Sequence, residues 1–182
     1  MIKDLSSFCD IVRVKMENSE LILGIAELYC EIFREPPCNE IHWTITGVSG
    51  DLSGQLSLPG AICLAVIYDK RIIGFTWGYG ADRSEMAKIA GADLFGGILP
   101  NGNRLFYIDE LGVCPRNRHC HIGLEISHRC LKEARTEGFK TFCLRTDKSA
   151  VPAINLYRKL GFTDTGIIDL NHSARTYWYL AG

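Results

Sequence analysis

The feature that most constrains the fold of this chain is a regular change in the spacing of its apolar residues. Residues 122–136 and 152–160 place apolar side chains at helical spacing, whereas residues 105–113 and 139–145 are apolar segments of strand length. Strands that alternate with helices are typical of a mixed sheet that carries helices on both faces. We therefore predict an α/β fold of this kind.

The remaining segments can be assigned by the same reasoning. A helix follows Asn18 or Ser19, either of which can cap it, and the prolines at positions 36 and 37 end it. Residues 44–60 and 83–90 are each compatible with a short helix, and residues 69–70 with a tight turn. Further strands are predicted at residues 10–16, 61–68, 71–79, 162–168 and 176–180.

The length and charge of the chain limit the functions open to it. Its 182 residues suit one domain over residues 1–182, and 20 basic against 21 acidic residues leave a net charge near zero. No basic stripe is present, so nucleic acid is not an expected partner. The longest apolar segment, residues 61–68, is too short to cross a membrane, so we expect no membrane association.

The eight cysteines do not indicate a disulfide-linked, secreted protein. They are scattered along the chain, and residues 1–4 do not begin an apolar signal segment. Four of them lie among apolar neighbours and are expected to act as small buried hydrophobes: Cys30, Cys63, Cys130 and Cys143. We therefore expect free thiols and a cytoplasmic location.

Residues 111–123 are the first segment that carries chemical information, because they read as a strand, a turn and the start of a helix. The first N–H groups of a helix have no partner within it, and the helix dipole adds positive charge there. Arg118 contributes a fixed positive charge. The segment therefore indicates a site for an anion such as a pyrophosphate, although a surface turn with solvated charges has the same pattern.

The same segment resembles motif A of the GNAT superfamily of N-acetyltransferases, V-x-P-x-x-R-G-x-G-x-G/A. Val113, Pro115, Arg118 and Gly123 match it. Two family glycines are replaced by histidines at positions 119 and 121, which either weaken the site or donate to phosphate themselves. The resemblance implies that the segment binds acetyl-coenzyme A through Leu111, Gly112, Val113, Arg118, His119, Cys120, His121, Ile122 and Gly123.

Residues 150–162 resemble motif B of the same superfamily, N-x-x-A-x-x-L-Y-x-x-x-G-F. The family asparagine is replaced by Ala150, whereas five residues match: Ala153, Leu156, Tyr157, Gly161 and Phe162. The resemblance implies that Tyr157 protonates the departing thiolate as a general acid, and that Asn155 contributes to coenzyme binding. Both motifs in the family order imply the GNAT fold, with a central, mixed and mostly antiparallel sheet of six to seven strands.

A base is needed as well, because an ammonium group must lose a proton before it can attack a thioester. Asp109 and Glu110 are the candidates, and strand alternation predicts that they face opposite sides of the sheet. We favour Glu110. Proton loss through ordered water is common in the family, so a single base is not required.

The resemblance places the site of the acceptor amine beside residues 33–40. Trp77 and Tyr79 either line this site or belong to the core. The sequence does not choose among three acids that could attract a cationic amine, namely Glu35, Glu40 and Asp82.

The resemblance implies an N-acetyltransferase that moves an acetyl group from acetyl-coenzyme A to a primary amine of a small molecule or peptide, by direct attack in a ternary complex. Cysteines and histidines at 114–130 suggest zinc, but they contain no C-x-x-C pair, so no metal is expected. The alternative is a degenerate GNAT domain that binds acyl-coenzyme A as a sensor or interaction module, without turnover. The last strands could pair across a homodimer.

Overall fold

The helices and strands follow the predicted order. The structure, a computed structural model, describes residues 9–36, 38–99 and 103–182. Its elements are β1 (Asp10–Val14), α1 (Ser19–Phe33), α2 (Ile45–Leu56), β2 (Ile62–Tyr68), β3 (Arg71–Asp82), α3 (Arg83–Ala90), β4 (Arg104–Val113), α4 (Ile122–Thr136), β5 (Thr141–Asp147), α5 (Val151–Lys159), β6 (Thr163–Ile168) and β7 (Arg175–Ala181). The two ambiguous segments, residues 44–60 and 83–90, thus contain the helices α2 and α3.

The strands form one seven-stranded sheet in the order β1-β2-β3-β4-β5-β7-β6. Neighbouring strands are antiparallel except for β4 and β5, which run parallel. The predicted mixed, mostly antiparallel sheet is therefore confirmed. Its single parallel pair lies in the middle of the sheet, where α4 supplies the crossover that two parallel strands require.

Helices cover both faces of the sheet, and each face has its own apolar core. On one face, α1 and α2 bury Ile25 and Leu52 against Phe75 of β3. On the other face, α4 and α5 pack Ile126 and Tyr157 against β2, β4 and β5. Burying apolar area on both faces is the main favourable term for such a layered fold.

Local signals explain where several elements begin. Thr44 caps α2, because its Oγ1 accepts a hydrogen bond from the N–H of Gly47 at 3.1 Å. Asp82 and Glu85 form a capping box at the start of α3. Asn18 precedes α1 as predicted, but its side chain accepts from the N–H of Lys15 and does not cap the helix.

The turn at residues 69–70 fixes the pairing of β2 with β3. Both Asp69 and Lys70 have left-handed backbone conformations, with φ of 47° and 61°. Two such residues are typical of the two-residue turns whose twist matches that of a hairpin. β3 then continues to Asp82, three residues beyond the predicted end, because Ala81 and Asp82 still pair with β4.

The cysteines behave as expected from their neighbours. Cys30, Cys63, Cys130 and Cys143 are all buried, and all eight cysteines are free. Burial raises the pKa of Cys130 to about 12, so this thiol stays protonated at neutral pH. Within the described ranges, no helix has the length and apolar character needed to cross a membrane.

Candidate active site

The central feature of the site is a wedge between β4 and β5. These strands pair only from Phe106 opposite Phe142 to Ile108 opposite Leu144. Beyond this point residues 110–113 pair with β3 alone, while residues 145–147 pair with β7. One edge of β4 therefore has no strand partner in the described part of the chain, and it includes the predicted coenzyme residues 111–113.

A β-bulge at the mouth of the wedge changes which way the two candidate bases face. Trp77 of β3 pairs with Glu110, but the next residue, Gly78, pairs with Ile108, so Asp109 is an extra residue in β4. A Cβ atom at Gly78 would collide with the carbonyl oxygen of Tyr107, which explains the glycine at this position. The prediction that the two carboxylates face opposite sides is therefore wrong, because the bulge interrupts strand alternation.

Both carboxylates take a hydrogen bond from the same helical layer. Gln55 of α2 donates from Nε2 to Oδ2 of Asp109 at 2.8 Å, and its Oε1 accepts from Nε1 of Trp77 at 2.5 Å. Tyr29 of α1 donates from its hydroxyl to Oε1 of Glu110 at 3.2 Å. The two acids therefore lie side by side on the face covered by α1 and α2.

The protein environment favours a proton on Glu110. Burial, and then the negative charge of Asp109, raise the pKa of Glu110 well above its ordinary value. Burial also raises the pKa of Asp109, although the positive charge of Arg145 opposes this. Arg145 itself is engaged, since its Nη1 lies 2.6 Å from Oδ2 of the buried Asp169.

Tyr157 lies on α5 with only 8% of its surface exposed. Burial and the negative charge of Glu110 raise the pKa of Tyr157, so the phenol keeps its proton at neutral pH. In the described ranges, no group forms a hydrogen bond with its hydroxyl. A buried, protonated phenol with an unengaged hydroxyl is suited to donate a proton. Asn155, on the same helix, is exposed.

The turn before α4 presents a row of backbone donors. His119 and His121 adopt left-handed conformations, with φ of 65° and 62°. Their side chains are therefore tolerated in the backbone shape that the family glycines would adopt without strain. Across the described residues, no acceptor is found for the backbone N–H groups of residues 119–124, which lie at the positive end of α4. This arrangement is suited to binding an anion.

The comparison with sequence families agrees with this geometry. The family model described as "Acetyltransferase (GNAT) family" matches residues 22–162, which is more than half of the chain. The chain belongs to the GNAT acetyltransferase family. No curated protein matches the sequence.

Solved structures share the GNAT fold at low sequence identity. The NatC complex bound to Gag peptide and CoA aligns with a TM-score of 0.70 and 17% identity, over 96% of this chain and 98% of that one. Aminoglycoside 6'-acetyltransferase type Ii aligns with a TM-score of 0.67 and 17% identity, over 94% of this chain and 96% of that one. A PaiA N-acetyltransferase from Thermoplasma acidophilum in complex with coenzyme A aligns with a TM-score of 0.63 and 15% identity, over 96% of this chain and 99% of that one.

In this GNAT protein, Arg118 connects the turn before α4 to the segment after α1 and to the end of β4. Its Nη2 lies 3.2 Å from Oε2 of Glu35, and its Nε donates to the carbonyl oxygen of Val113 at 3.4 Å. Glu35 follows α1, in the segment predicted to border the acceptor. Pro37 of that segment lies outside the described residues.

The other residues predicted to line the site of the acceptor amine either pack in the protein interior or already contact another part of the protein. Trp77 is buried in the core beside Tyr29, whereas Tyr79 is half-buried. Glu40 forms a salt bridge with Arg175 at 2.5 Å, and Asp82 caps α3. Neither acid therefore offers an unengaged charge to an amine.

Sequence reasoning missed the residues that hold the two carboxylates. Tyr29 belongs to the buried face of α1, and Gln55 lies within residues 44–60, which the sequence shows only to be compatible with a short helix. Both act on β4 from helices that are more than 50 positions away in sequence, so no local pattern connects them. Among the residues described, no group of three or more His, Cys, Asp or Glu side chains could hold a metal ion.

Proposed function

We propose that this chain transfers the acetyl group of acetyl-coenzyme A to a primary amine of a small molecule or peptide. The observation that carries the proposal is the unpaired edge of β4, which leads directly to the unpaired N–H groups at the start of α4. A cytoplasmic location and a homodimer stay predictions.

The described residues fit the two polar parts of the coenzyme. An extended chain with amide groups can pair with residues 111–113 of β4, in the way that a peptide adds a strand to a sheet edge. The N–H groups of residues 119–124 then offer donors to a pyrophosphate, and Arg118 adds a positive charge beside them. The pantetheine arm and the pyrophosphate of coenzyme A have this chemistry and this order.

Glu110 and Tyr157 supply the proton transfers. Acetyl-coenzyme A contributes an activated acetyl group as a thioester. Glu110, in its ionised form, accepts the proton that the ammonium group must lose before the nitrogen attacks the thioester carbon. Tyr157 donates its proton to the sulfur as the carbon–sulfur bond breaks, and the second proton that the nitrogen loses as the amide forms restores the phenol. Direct attack needs no covalent acyl-enzyme.

A sensor that binds acyl-coenzyme A without turnover is the alternative, motivated by His119, His121 and Ala150 at positions where the family has glycine, glycine and asparagine. The backbone at both histidines keeps the left-handed conformation. The retained conformation supports coenzyme binding by an enzyme and by a sensor alike. Only turnover therefore distinguishes the two functions.

Two measurements on the purified chain test the proposal. Acetyl-coenzyme A should raise the melting temperature in proportion to the logarithm of its concentration, because a ligand of the folded state stabilises it by mass action. Free thiol should then appear when amines are added from a panel. Binding without thiol release on any amine would favour the sensor, and no binding at millimolar coenzyme would exclude both functions.

A further inference from the structure

Arg145 lies at the point where β4 and β5 separate. The last paired residues of the two strands are Ile108 and Leu144, so the next residue on each side of the wedge is Asp109 or Arg145. This register brings a guanidinium group to the strand position beside the extra residue of the bulge. The positive charge of Arg145 is also the strongest influence that opposes the effect of burial on the pKa of Asp109.

Asp169, in the loop between β6 and β7, fixes the guanidinium group of Arg145. Its Oδ2 lies 2.6 Å from Nη1 of Arg145 and accepts from the hydroxyl of Tyr177 at 3.3 Å. Its Oδ1 accepts from the backbone N–H groups of Asn171 at 2.9 Å and of His172 at 3.2 Å. Asp169 is fully buried, and an arginine does not lose its proton in a protein. The charge of Arg145 therefore has a fixed place and is present at every pH.

Several elements bring charged and titratable groups to Glu110. Burial, and then the charges of Asp109 and Glu40, raise its pKa, whereas Arg145 and, after it, Arg175 oppose this. The groups that act on Glu110, or on which it acts, are Tyr29 of α1, Cys38 and Glu40 of the segment after α1, Tyr79 of β3, Asp109 of β4, Arg145 of β5, Tyr157 of α5 and Arg175 of β7.

The two arginines differ in how far their charge is compensated at Glu110. Arg175 forms a salt bridge of 2.5 Å with Glu40, which is itself one of the two acids that raise the pKa of Glu110. Asp169, the partner of Arg145, is not among the charges that act most strongly on Glu110. Arg145 is therefore the less compensated positive charge at the acid pair.

Resting on the proposed acetyl transfer, we propose that Arg145 is a positioning residue for the base. Asp169 holds its guanidinium group where β4 and β5 separate, and its charge allows Glu110 to lose the last proton of the acid pair near neutral pH. Without this charge the two buried acids keep that proton, and Glu110 cannot accept another from an ammonium group. Arg145 itself contacts neither the amine nor the thioester.

Two readouts follow the proton on Glu110, one of them without turnover. The first is a pH titration of the side-chain carboxyl carbons by NMR, in which Asp109→Asn and Glu110→Gln assign the two resonances. The second is the pH profile of kcat/KM with acetyl-coenzyme A and an amine. Arg145→Gln removes the charge, so it should raise the higher NMR midpoint of the pair and the midpoint of kcat/KM, each by about one pH unit.

Two control variants separate the charge of Arg145 from its packing. Arg145→Lys keeps a positive charge and should leave both midpoints close to those of the wild type, which a purely structural role would not require. Arg13→Gln removes an arginine that is likewise paired with an acid, Glu133 at 2.9 Å, but is not among the charges that act most strongly on Glu110. It should change neither midpoint.

A double variant covers the case in which Arg145→Gln does not fold. That substitution leaves Asp169 as a buried charge without its partner, which is strongly destabilising. Combining it with Asp169→Asn removes both charges and leaves two amides that can form a hydrogen bond. The midpoints should still rise, because the charge that acts on Glu110 is that of Arg145.

The two readouts separate this inference from the proposed function. A raised NMR midpoint in a chain that acetylates no amine would support the effect of Arg145 on Glu110 and refute acetyl transfer. The inference would be overturned by an unchanged NMR midpoint in folded Arg145→Gln or in the double variant, or by an equal rise in Arg145→Lys. A kcat/KM profile that does not follow the NMR midpoint would overturn the positioning role as well.

Discussion

The guanidinium group of Arg118 lies 3.2 Å from the carboxylate of Glu35, and this salt bridge links the turn before α4 to the segment after α1. Both side chains are about half exposed, so the bridge is weakly stabilising. It nevertheless occupies the charge that the proposed function assigns to a pyrophosphate. In the proposed complex, coenzyme and Glu35 would therefore compete for Arg118.

The first prediction follows from this competition. Glu35→Gln should strengthen the binding of coenzyme A by roughly two- to fivefold, since an exposed salt bridge contributes at most about 1 kcal/mol. Glu133→Gln is the matched control, because it also releases arginines, Arg13 and Arg129, but at a distance from the turn. Titration calorimetry measures both. Weaker binding in Glu35→Gln would show that Glu35 positions Arg118 for the ligand.

The second prediction concerns the two left-handed histidines. His119→Gly and His121→Gly should each stabilise the fold by about 1 kcal/mol, because a non-glycine residue in this region is strained. They should also strengthen coenzyme binding, since the backbone can then approach phosphate more closely. Thermal unfolding with and without coenzyme measures both effects.

Lys70→Gly provides the control for the histidine variants. Lys70 has a φ of 61° in the exposed turn between β2 and β3, so its replacement should stabilise the fold in the same way without changing coenzyme affinity. Loss of coenzyme binding in the two histidine variants would instead assign the imidazoles a direct contact with phosphate.

The third prediction tests the acid. Tyr157→Phe should lower kcat by about 100-fold or more, within the usual range for general acid catalysis, and should leave coenzyme affinity nearly unchanged. Phenylalanine keeps the ring that packs edge to face against Phe162, so the fold is preserved. Tyr68→Phe removes an exposed tyrosine hydroxyl as a control. An unchanged kcat would remove Tyr157 from the mechanism.

The fourth prediction links catalysis to stability through Glu110. The pKa of Glu110 is raised in the folded state, so the folded state binds a proton more tightly than the unfolded chain, whose glutamate pKa is about 4.3. The stability of the wild type should therefore fall as pH rises through the folded-state pKa. Glu110→Gln cannot ionise, so its melting temperature should exceed that of the wild type at neutral pH and match it below about pH 4.

The activity of the wild type should change with pH in the opposite direction to its stability, because the base must be ionised to accept a proton. In the wild type, kcat/KM should rise as Glu110 loses its proton, with a midpoint above the ordinary carboxyl range. Glu110→Gln should be less active and should lose this rise. A variant with full activity and an unchanged pH profile would indicate that proton loss proceeds through water.

The helices and strands could largely be predicted because their signals are local. The apolar face of α4 predicts its bounds, and the strand, turn and helix around residues 111–123 are encoded within a few residues of one another. Motifs of this kind also carried the family resemblance, which the match over residues 22–162 confirms. The conformation of His119 and His121 was not predictable from side-chain preference, because histidine seldom adopts it.

The sequence by itself thus determined a mixed sheet with helices on both faces and the strand, turn and helix around residues 111–123, since hydrophobic period and turn chemistry act over a few residues. Only the tertiary structure decided that Asp109 and Glu110 face the same side, because the bulge depends on how β4 pairs with Gly78 of β3. It also decided that Gln55 and Tyr29 hold these acids. Such contacts join segments far apart in sequence, and they form only when the layers pack.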